Sequence, residues 1–387
     1  MSAGRGRLLL VGRDAEDVTD TRLLLGLVRA FAADEAGAEV RVLLQRGGAL
    51  RDRFAALADT VVVADLPERS PAGLVERGLG RLGMRGPALG VRARRLGLDG
   101  WGSGDAVYLH TVLAVQAIRY LPTDGRATVV CRVPESAHPL DQPLSAVDLS
   151  LLTARVDRFL ATTAAGVEEL TAALDVPAER VVRVPEVAVP AAADGDAERL
   201  RAALGFAPGE VVVGSFGASA TDPPSPAASL AVALRRHGTE ARMLFVAPEH
   251  ASDGWVRHDV ECAGLADRVR VVDATEPLPA YALVCDVVAH AGWGVDHPTA
   301  YLEAMAGGAP AVCFDGHELA TLVGADEAGV VCPYLDLSAM AEGVARLVDD
   351  PELRRAAGTR AAAAVAEHHP ITVVVDALHE ALAEGRR

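Results

Sequence analysis

Short apolar runs alternate with longer segments whose apolar residues recur at helical spacing along most of the chain. In the first half the strand-like runs are Leu8–Val11, Glu39–Leu44, Ala106–Leu109 and Ala127–Arg132. Strands that are apolar at nearly every position are covered on both faces, as in a parallel sheet flanked by helices. The pattern therefore predicts a Rossmann-like α/β fold in this half.

The same rhythm restarts later, with Val211–Phe216 as its first strand candidate. Before it, Ala188–Asp196 lacks periodicity and is rich in Ala, Pro, Gly and Asp, a composition typical of linkers. We therefore expect a first Rossmann-like domain over residues 1–190, a second over 191–368, and a C-terminal helix within 369–387. The length of 387 residues suits two domains.

Composition narrows the function classes. A formal net charge of −16 argues against general nucleic-acid binding, because phosphate backbones need a concentrated positive face. No apolar run reaches the ~18–20 residues of a membrane span, and the N-terminus lacks the apolar core of a signal peptide. The five cysteines form no CxxC pair. This pattern is typical of reduced cysteines that are buried as small apolar side chains in a reducing compartment. We therefore expect a cytoplasmic protein.

One segment departs from the acidic average. The chain carries six arginines between Arg77 and Arg95, with Glu76 just before them. The segment is either a solvated surface or a patch that contacts an anionic membrane or a phosphorylated acceptor. It lies within Arg69–Gly104, which is rich in Gly and Arg and which we expect to leave the sheet as a partly helical excursion.

The most informative stretch is Asp286–Phe314, DVVAHAGWGVDHPTAYLEAMAGGAPAVCF. It predicts a buried strand, a Gly-rich loop, a helix opened by Pro298, and a Gly307–Gly308 stop before another strand. The free amides and the dipole of such a helix start favour phosphate at the carboxyl ends of parallel strands. Glu303, about one turn into the helix, is positioned to accept from a ribose diol; the alternative is an ordinary exposed helical glutamate.

LEAMAGGAPAV and the segment Gly316–Ala361 that follows it closely resemble the C-terminal half of family 4 GT-B glycosyltransferases (glycosyl transferases group 1). That family carries an E-A-M-A-x-G-x-P run and a later D-P-E-L-R turn. The resemblance implies two Rossmann-like domains facing a cleft, with the last helix crossing back to the first domain. It also implies a nucleotide-sugar donor, UDP- or GDP-linked, on the second domain, an acceptor on the first, and transfer with retention of configuration and without a metal or other cofactor.

The resemblance and the predicted strand ends together nominate the donor-binding residues. These are Gly217, Ala218, Ser219, Asp273, Thr275, Gly292, Trp293, Gly294, Asp296 and Glu303. Trp293 either stacks on the base or sugar or packs a domain interface. On the acceptor side, Glu135 matches half of the family's His-Glu pair, and His138 and His110 follow predicted strands. We expect these three as catalytic residues; the alternative for each histidine is a polar loop position.

The donor site departs from the family pattern. The family's first Glu, eight residues before the Glu of the EAM run, corresponds to Val295, with Asp296 adjacent. Gly214–Pro226 holds no basic residue where the family places Arg and Lys on the diphosphate. Two hypotheses follow: an active retaining glycosyltransferase, or a GT-B protein without transferase chemistry that acts as a partner or ligand-binding subunit.

Overall fold

The computed structural model describes residues 6–16, 18–33, 38–123, 126–134, 144–188, 196–216, 226–247, 254–273, 278–292, 298–316 and 318–384. The chain divides into two compact units. The first is Met1–Glu186 together with Ile371–Arg387, and the second is Val187–Pro370. The sequence analysis sets these boundaries after residues 190 and 368.

In the described part of the first unit, seven parallel strands form one sheet in the order β3-β2-β1-β4-β5-β6-β7. The strands are β1 (Arg7–Gly12), β2 (Glu39–Leu44), β3 (Asp59–Val62), β4 (Ala106–Leu109), β5 (Thr128–Val133), β6 (Arg158–Ala161) and β7 (Val181–Arg183). The helices are α1 (Thr19–Ala33), α2 (Arg51–Ala55), α3 (Pro71–Arg81), α4 (Arg85–Arg95), α5 (Ala146–Arg155) and α6 (Ala164–Glu168). A 3₁₀ segment covers Val112–Tyr120.

The described part of the second unit contains six parallel strands in the order β10-β9-β8-β11-β12-β13. The strands are β8 (Val211–Phe216), β9 (Ala241–Ala247), β10 (Val269–Asp273), β11 (Val287–His290), β12 (Ala311–Phe314) and β13 (Gly329–Cys332). The helices are α7 (Asp196–Ala203), α8 (Pro226–His237), α9 (Gly254–Cys262), α10 (Leu278–Ala282), α11 (Pro298–Ala306), α12 (Glu318–Ala325), α13 (Leu337–Asp349) and α14 (Pro351–His368).

The last helix, α15 (Thr372–Glu384), returns to the first unit, where it packs on β4, β5 and α1. Arg158, at the start of β6, forms ion pairs with Glu380 and Glu384 of this helix. The ring of His379 lies 4.9 Å from that of Phe31 in α1. The expected return of the C-terminal helix is thereby confirmed.

The central strands are buried on both faces. Leu8, Leu9, Leu10 and Val11 have no exposed area, and every residue of β4, β11 and β12 is buried. This continuous burial is what parallel sheets covered by helices require, and it explains why the apolar runs predicted the strands.

Three aspartates fix the alignment of neighbouring strands at their amino ends. Each directly precedes a strand and accepts a hydrogen bond from the backbone N–H of the adjacent one: Asp105 from Arg7 at 3.0 Å, Asp157 from Val129 at 2.8 Å, and Asp286 from Val212 at 2.8 Å. An arginine pairs with each carboxylate. These acids lie at the edge of the sheet opposite to the carboxyl ends, so their role is structural.

Strand β11 begins at Val287, directly after Asp286, whose carboxylate accepts from the Val212 amide of the neighbouring strand. One detail differs from the sequence expectation. Cys131, Cys285, Cys313 and Cys332 are buried as expected, whereas Cys262 is exposed at the end of α9 beside His258. Among the described helices, none combines the length and apolar character needed to cross a bilayer.

Candidate functional site

The strand order of the second unit reverses between β8 and β11. These two strands pair directly, with Val213 opposite Val287, and the chain continues from them to opposite sides of the sheet. In open parallel sheets, ligands bind at the carboxyl ends of the strands at such a reversal, because the connecting loops separate there and leave a crevice. The candidate site is therefore built around Phe216, which ends β8, and His290, which ends β11.

Helix α11 reaches this edge of the sheet through Tyr301. The Tyr301 side chain is fully buried. Its hydroxyl donates to the carbonyl oxygen of Phe216 at 3.2 Å and accepts from the Phe216 amide at 3.1 Å. The two rings meet edge to face at 5.4 Å, and the His290 ring lies 4.6 Å from that of Tyr301. One tyrosine thus joins α11 to the ends of both strands that define the reversal.

Glu303 lies on the same helix, five residues after its first residue, Pro298. It is only 2% exposed, so it is not the ordinary surface glutamate that was the alternative. Burying a carboxylate is costly unless hydrogen bonds compensate, which makes a buried glutamate near a strand reversal a strong candidate for ligand binding. Gly292, two residues beyond β11, is also buried at this edge.

The other nominated donor residues are placed as follows. Asp273 ends β10, so its backbone lies at the same carboxyl edge as Phe216 and His290. Outside the described residues lie Gly217, Ala218, Ser219, Thr275, Trp293, Gly294 and Asp296. The structure therefore places Gly292 and the end of β10 at the carboxyl edge of the second sheet and buries Glu303 in α11, and the remaining assignments stay predictions.

The first unit has an equivalent reversal between β1 and β4. A pocket of about 220 Å³ opens there. Its lining includes Gly12, Asp14, Asp20, Thr21, His110 and Thr111. Of the three nominated catalytic residues, His110 lines this pocket, while Glu135 and His138 lie outside the described residues.

His110 is held in one tautomer by its neighbours. Its Nε2 lies 2.6 Å from the backbone carbonyl oxygen of Asp20, which only accepts, so Nε2 carries the proton. The Tyr108 hydroxyl, 3.3 Å from Nδ1, therefore donates to that nitrogen. Burial, reinforced by the charge of Arg132, lowers the pKa of His110 to about 4. His110 is accordingly neutral at physiological pH.

Arg132, in β5, supports the pocket residue Asp20 from behind the lining, and sequence reasoning missed it. It is 2% exposed and donates to the Asp20 carboxylate at 3.0 Å and to the buried carboxylate of Glu186. Burial disfavours its charge, but the Glu186 and Asp20 carboxylates outweigh that effect and raise the pKa of Arg132. Asp20 is thus fixed twice, through its carboxylate to Arg132 and through its carbonyl to His110. The sequence signal that could have identified Arg132 is that it is a single arginine within an otherwise apolar strand.

No three His, Cys, Asp or Glu side chains cluster as a metal site would require within the described residues. The groups described above offer hydrogen bonding and electrostatics. The second unit presents the start of α11, the buried carboxylate of Glu303 and Gly292 beyond the end of β11. The first presents a polar pocket with a neutral histidine and two aspartates at its wall.

Two doubly wound parallel sheets on one chain, with the last helix returning to the first unit, define the GT-B fold. Residues 226–350 match the sequence model of the family described as Glycosyl transferases group 1, so the second unit carries a domain of that kind. The resemblance drawn from the LEAMAGGAP segment is thereby confirmed.

Particular relatives support the same class. The chain is 28% identical to alpha-D-kanosaminyltransferase of Streptomyces kanamyceticus over 221 residues, which are 54% of this chain and 56% of that protein. The alignment thus spans little more than half of the relative's length. HepE from Anabaena, crystallised with UDP and glucose, superposes with a TM-score of 0.68 at 17% identity, covering 98% of this chain and 100% of HepE. Sucrose-phosphate synthase of Thermosynechococcus elongatus gives 0.63 at 18% identity, covering 98% and 99%.

Proposed function

We propose that the protein is a retaining glycosyltransferase that moves a sugar from a UDP- or GDP-linked donor to an acceptor hydroxyl. The observation that carries the proposal is Glu303. It is buried in α11, beside the reversal of the second sheet, and inside the segment that matches the group 1 glycosyl transferase model. HepE was crystallised with UDP and glucose, which supports a UDP-sugar as the donor to test first.

In the proposed reaction, the bond between the sugar's anomeric carbon and the diphosphate breaks, and the nucleoside diphosphate leaves with the electron pair. A new bond forms from the anomeric carbon to the acceptor oxygen, whose proton passes to the leaving diphosphate. The start of α11 would stabilise the charge that develops on the leaving diphosphate, because free amides and the helix dipole favour anions. Glu303 would accept hydrogen bonds from a hydroxyl-bearing part of the donor, such as the ribose diol.

The missing basic residues shape this proposal. Gly214–Pro226 contains no Arg or Lys, so backbone amides would contribute much of the leaving-group stabilisation.

We also propose that no catalytic metal takes part, and treatment with a chelator should leave turnover unchanged. Retention rests on the family resemblance. The acceptor, whether a glycan, a lipid-linked sugar or a natural product, would bind at the first unit's pocket.

The direct test incubates the purified protein with UDP-glucose and other UDP- and GDP-sugars and measures released nucleotide and binding heat. Saturable binding accompanied by slow donor hydrolysis is expected. Binding without release, even when cell-extract acceptors are added, would favour the alternative of a ligand-binding subunit. Absence of both would overturn the proposal. The anomeric configuration of any product, read by NMR, tests retention.

Glu303→Gln tests the assigned residue. Loss of a charge-assisted hydrogen bond should weaken nucleotide-sugar binding about tenfold to a hundredfold. Glu342→Gln, an exposed glutamate on α13, is the matched control and should bind like the native protein. Circular dichroism verifies that both variants are folded. An unchanged affinity in a folded Glu303→Gln variant removes Glu303 from the site.

A further inference from the structure

Helices α3 and α4 pack against each other as a hairpin of residues 71–95, the basic hairpin. Only a few of its residues face inward: Gly73, Val91 and Ala93 are buried, and α4 rests on the 3₁₀ segment that follows β4. The turn between the helices is exposed throughout, from Gly80 to Pro87. The excursion expected from the sequence is thus a projecting helical hairpin.

The arginines of the basic hairpin fall into two groups. Arg92 and Arg95 both pair with Glu76, at 2.8 Å in the case of Arg92, and Arg77 pairs with Glu68 at 3.1 Å. The pairs of Arg92 and Arg95 with Glu76 join α4 to α3, whereas Arg77 ties α3 to the chain that precedes it. Exposed Arg81, Arg85 and Arg94 form no ion pair with any described residue. Residues 77–98 contain no acidic residue, although the whole chain carries a net charge of −16.

The same surface is unusually apolar. Leu74, Val75, Leu82, Met84 and Leu89 are all exposed, and Leu82 reaches 76%. Leu82 and Met84 flank Gly83, whose φ of 76° makes the tight turn. Arg81 and Arg85 in turn bracket these two apolar side chains. The tip therefore presents two apolar side chains between two arginines that lack carboxylate partners.

We propose that the basic hairpin docks the protein on a bilayer containing anionic phospholipids. Leu82 and Met84 enter the acyl boundary while Arg81, Arg85 and Arg94 bind lipid phosphates. Arginine suits this position because its apolar stem lies along the acyl region while its guanidinium stays at the phosphates. Docking through these charged and exposed side chains is independent of the proposed transferase activity.

Two other occupants fit less well. A nucleic acid offers nothing to the exposed Leu82 and Met84, and the acidic remainder of the chain would repel it. An acidic protein would match the arginines, but such a partner would bind equally in the absence of lipid. A bilayer satisfies both the charged and the apolar parts of the surface, since each basic residue near an anionic surface raises partitioning about fivefold.

Vesicle co-sedimentation of the full-length protein tests the proposal. The vesicles are phosphatidylcholine alone or phosphatidylcholine with a third of phosphatidylglycerol. We expect salt-sensitive binding to the anionic vesicles only. The triple variant Arg81→Gln, Arg85→Gln and Arg94→Gln should lose about a hundredfold in partitioning. The control triple variant Arg29→Gln, Arg53→Gln and Arg236→Gln, with the same charge change at exposed sites elsewhere, should lose little.

A second pair of substitutions tests insertion. Leu82→Ser with Met84→Ser should weaken binding at least tenfold, because buried methylene groups drive interfacial insertion. The proposal is overturned if the native protein does not bind anionic vesicles at low salt. Equal losses in the two arginine triple variants, or unchanged binding after the Leu82 and Met84 substitutions, reduce the effect to non-specific attraction and also overturn it. Circular dichroism and urea unfolding confirm that each variant is folded.

Discussion

The hydroxyl of Tyr301 hydrogen-bonds to both backbone polar groups of Phe216, the last residue of β8. A strand end is where backbone groups lose their ladder partners, so a side chain that satisfies both groups fixes the direction in which the chain leaves the sheet. Because Tyr301 and Glu303 lie on the same helix, this contact also sets the position of Glu303 relative to the end of β8. Tyr301 thus positions the helix that carries Glu303 and so contributes to the candidate donor site through structure.

Tyr301→Phe keeps the ring and removes both hydrogen bonds to Phe216. We expect the free energy of unfolding to fall by about 1–3 kcal/mol, because these are buried backbone groups. Nucleotide-sugar affinity should also fall, since the end of β8 loses its anchor to α11. Urea unfolding and calorimetric titration with UDP measure the two effects.

The control for this prediction is Tyr334→Phe, because Tyr334 is 53% exposed. It should change stability by less than about 0.5 kcal/mol. A Tyr301→Phe variant as stable as the native protein would show that the two hydrogen bonds contribute nothing net to folding.

Arg132→Met tests the buried ion pair of the first unit. It leaves the Glu186 carboxylate buried without its cation, which typically costs about 3–5 kcal/mol. Adding Glu186→Gln removes the uncompensated charge, so the double variant should be more stable than Arg132→Met alone. Urea unfolding of the four proteins forms a double-mutant cycle that isolates the coupling between the two residues.

The comparison for Arg132 is Arg158→Met, which breaks the ion pairs with Glu380 and Glu384 at the surface of α15. Exposed pairs contribute about 0–1 kcal/mol, so this variant should be only slightly destabilised. If Arg132→Met and Arg158→Met are equally stable, or if the double variant is no better than Arg132→Met, Arg132 does not compensate Glu186.

The sequence predicted the fold well because the relevant signal is local. The bounds of β2 and β4 match the runs from which they were predicted, and β4 is apolar at all four positions because it is buried on both faces. The helix carrying Glu303 was predicted from Pro298 and Gly307–Gly308, which are also local signals. The same local signals predicted those parts of the candidate site that lie at strand ends and helix starts.

The rest depends on contacts distant in sequence. Arg132 and Glu186 are 54 residues apart, and Tyr301 and Phe216 are 85 apart, so neither pair is visible in any local pattern. The buried charge of Glu186 is tolerated because the guanidinium of Arg132 lies beside it. The surroundings of His110 were likewise unpredictable, because Asp20 is 90 residues away.

His110 gives a prediction about acid stability. Its pKa in the folded protein is about 4, below the ~6.5 of an unperturbed histidine, because the ring is buried near Arg132. Between these values the unfolded chain binds a proton that the folded protein does not. The free energy of unfolding therefore falls as the pH drops from about 6.5 to about 4, by up to about 3 kcal/mol from this residue, and His110 adds no pH dependence above that range.

His110→Gln removes the titrating ring but keeps an amide that can donate to the Asp20 carbonyl oxygen. Urea unfolding at several pH values between 4.5 and 7.5 should show a shallower loss of stability in this variant than in the native protein. Carboxylates distant from residue 110 titrate in both proteins, so their contributions cancel in the difference. His237→Gln, at an exposed site on α8, is the control and should follow the native pH dependence. Parallel pH profiles for the native protein and His110→Gln would mean that the folded protein tolerates a charged His110, and the neutral tautomer assigned from its contacts with Asp20 and Tyr108 would then be wrong.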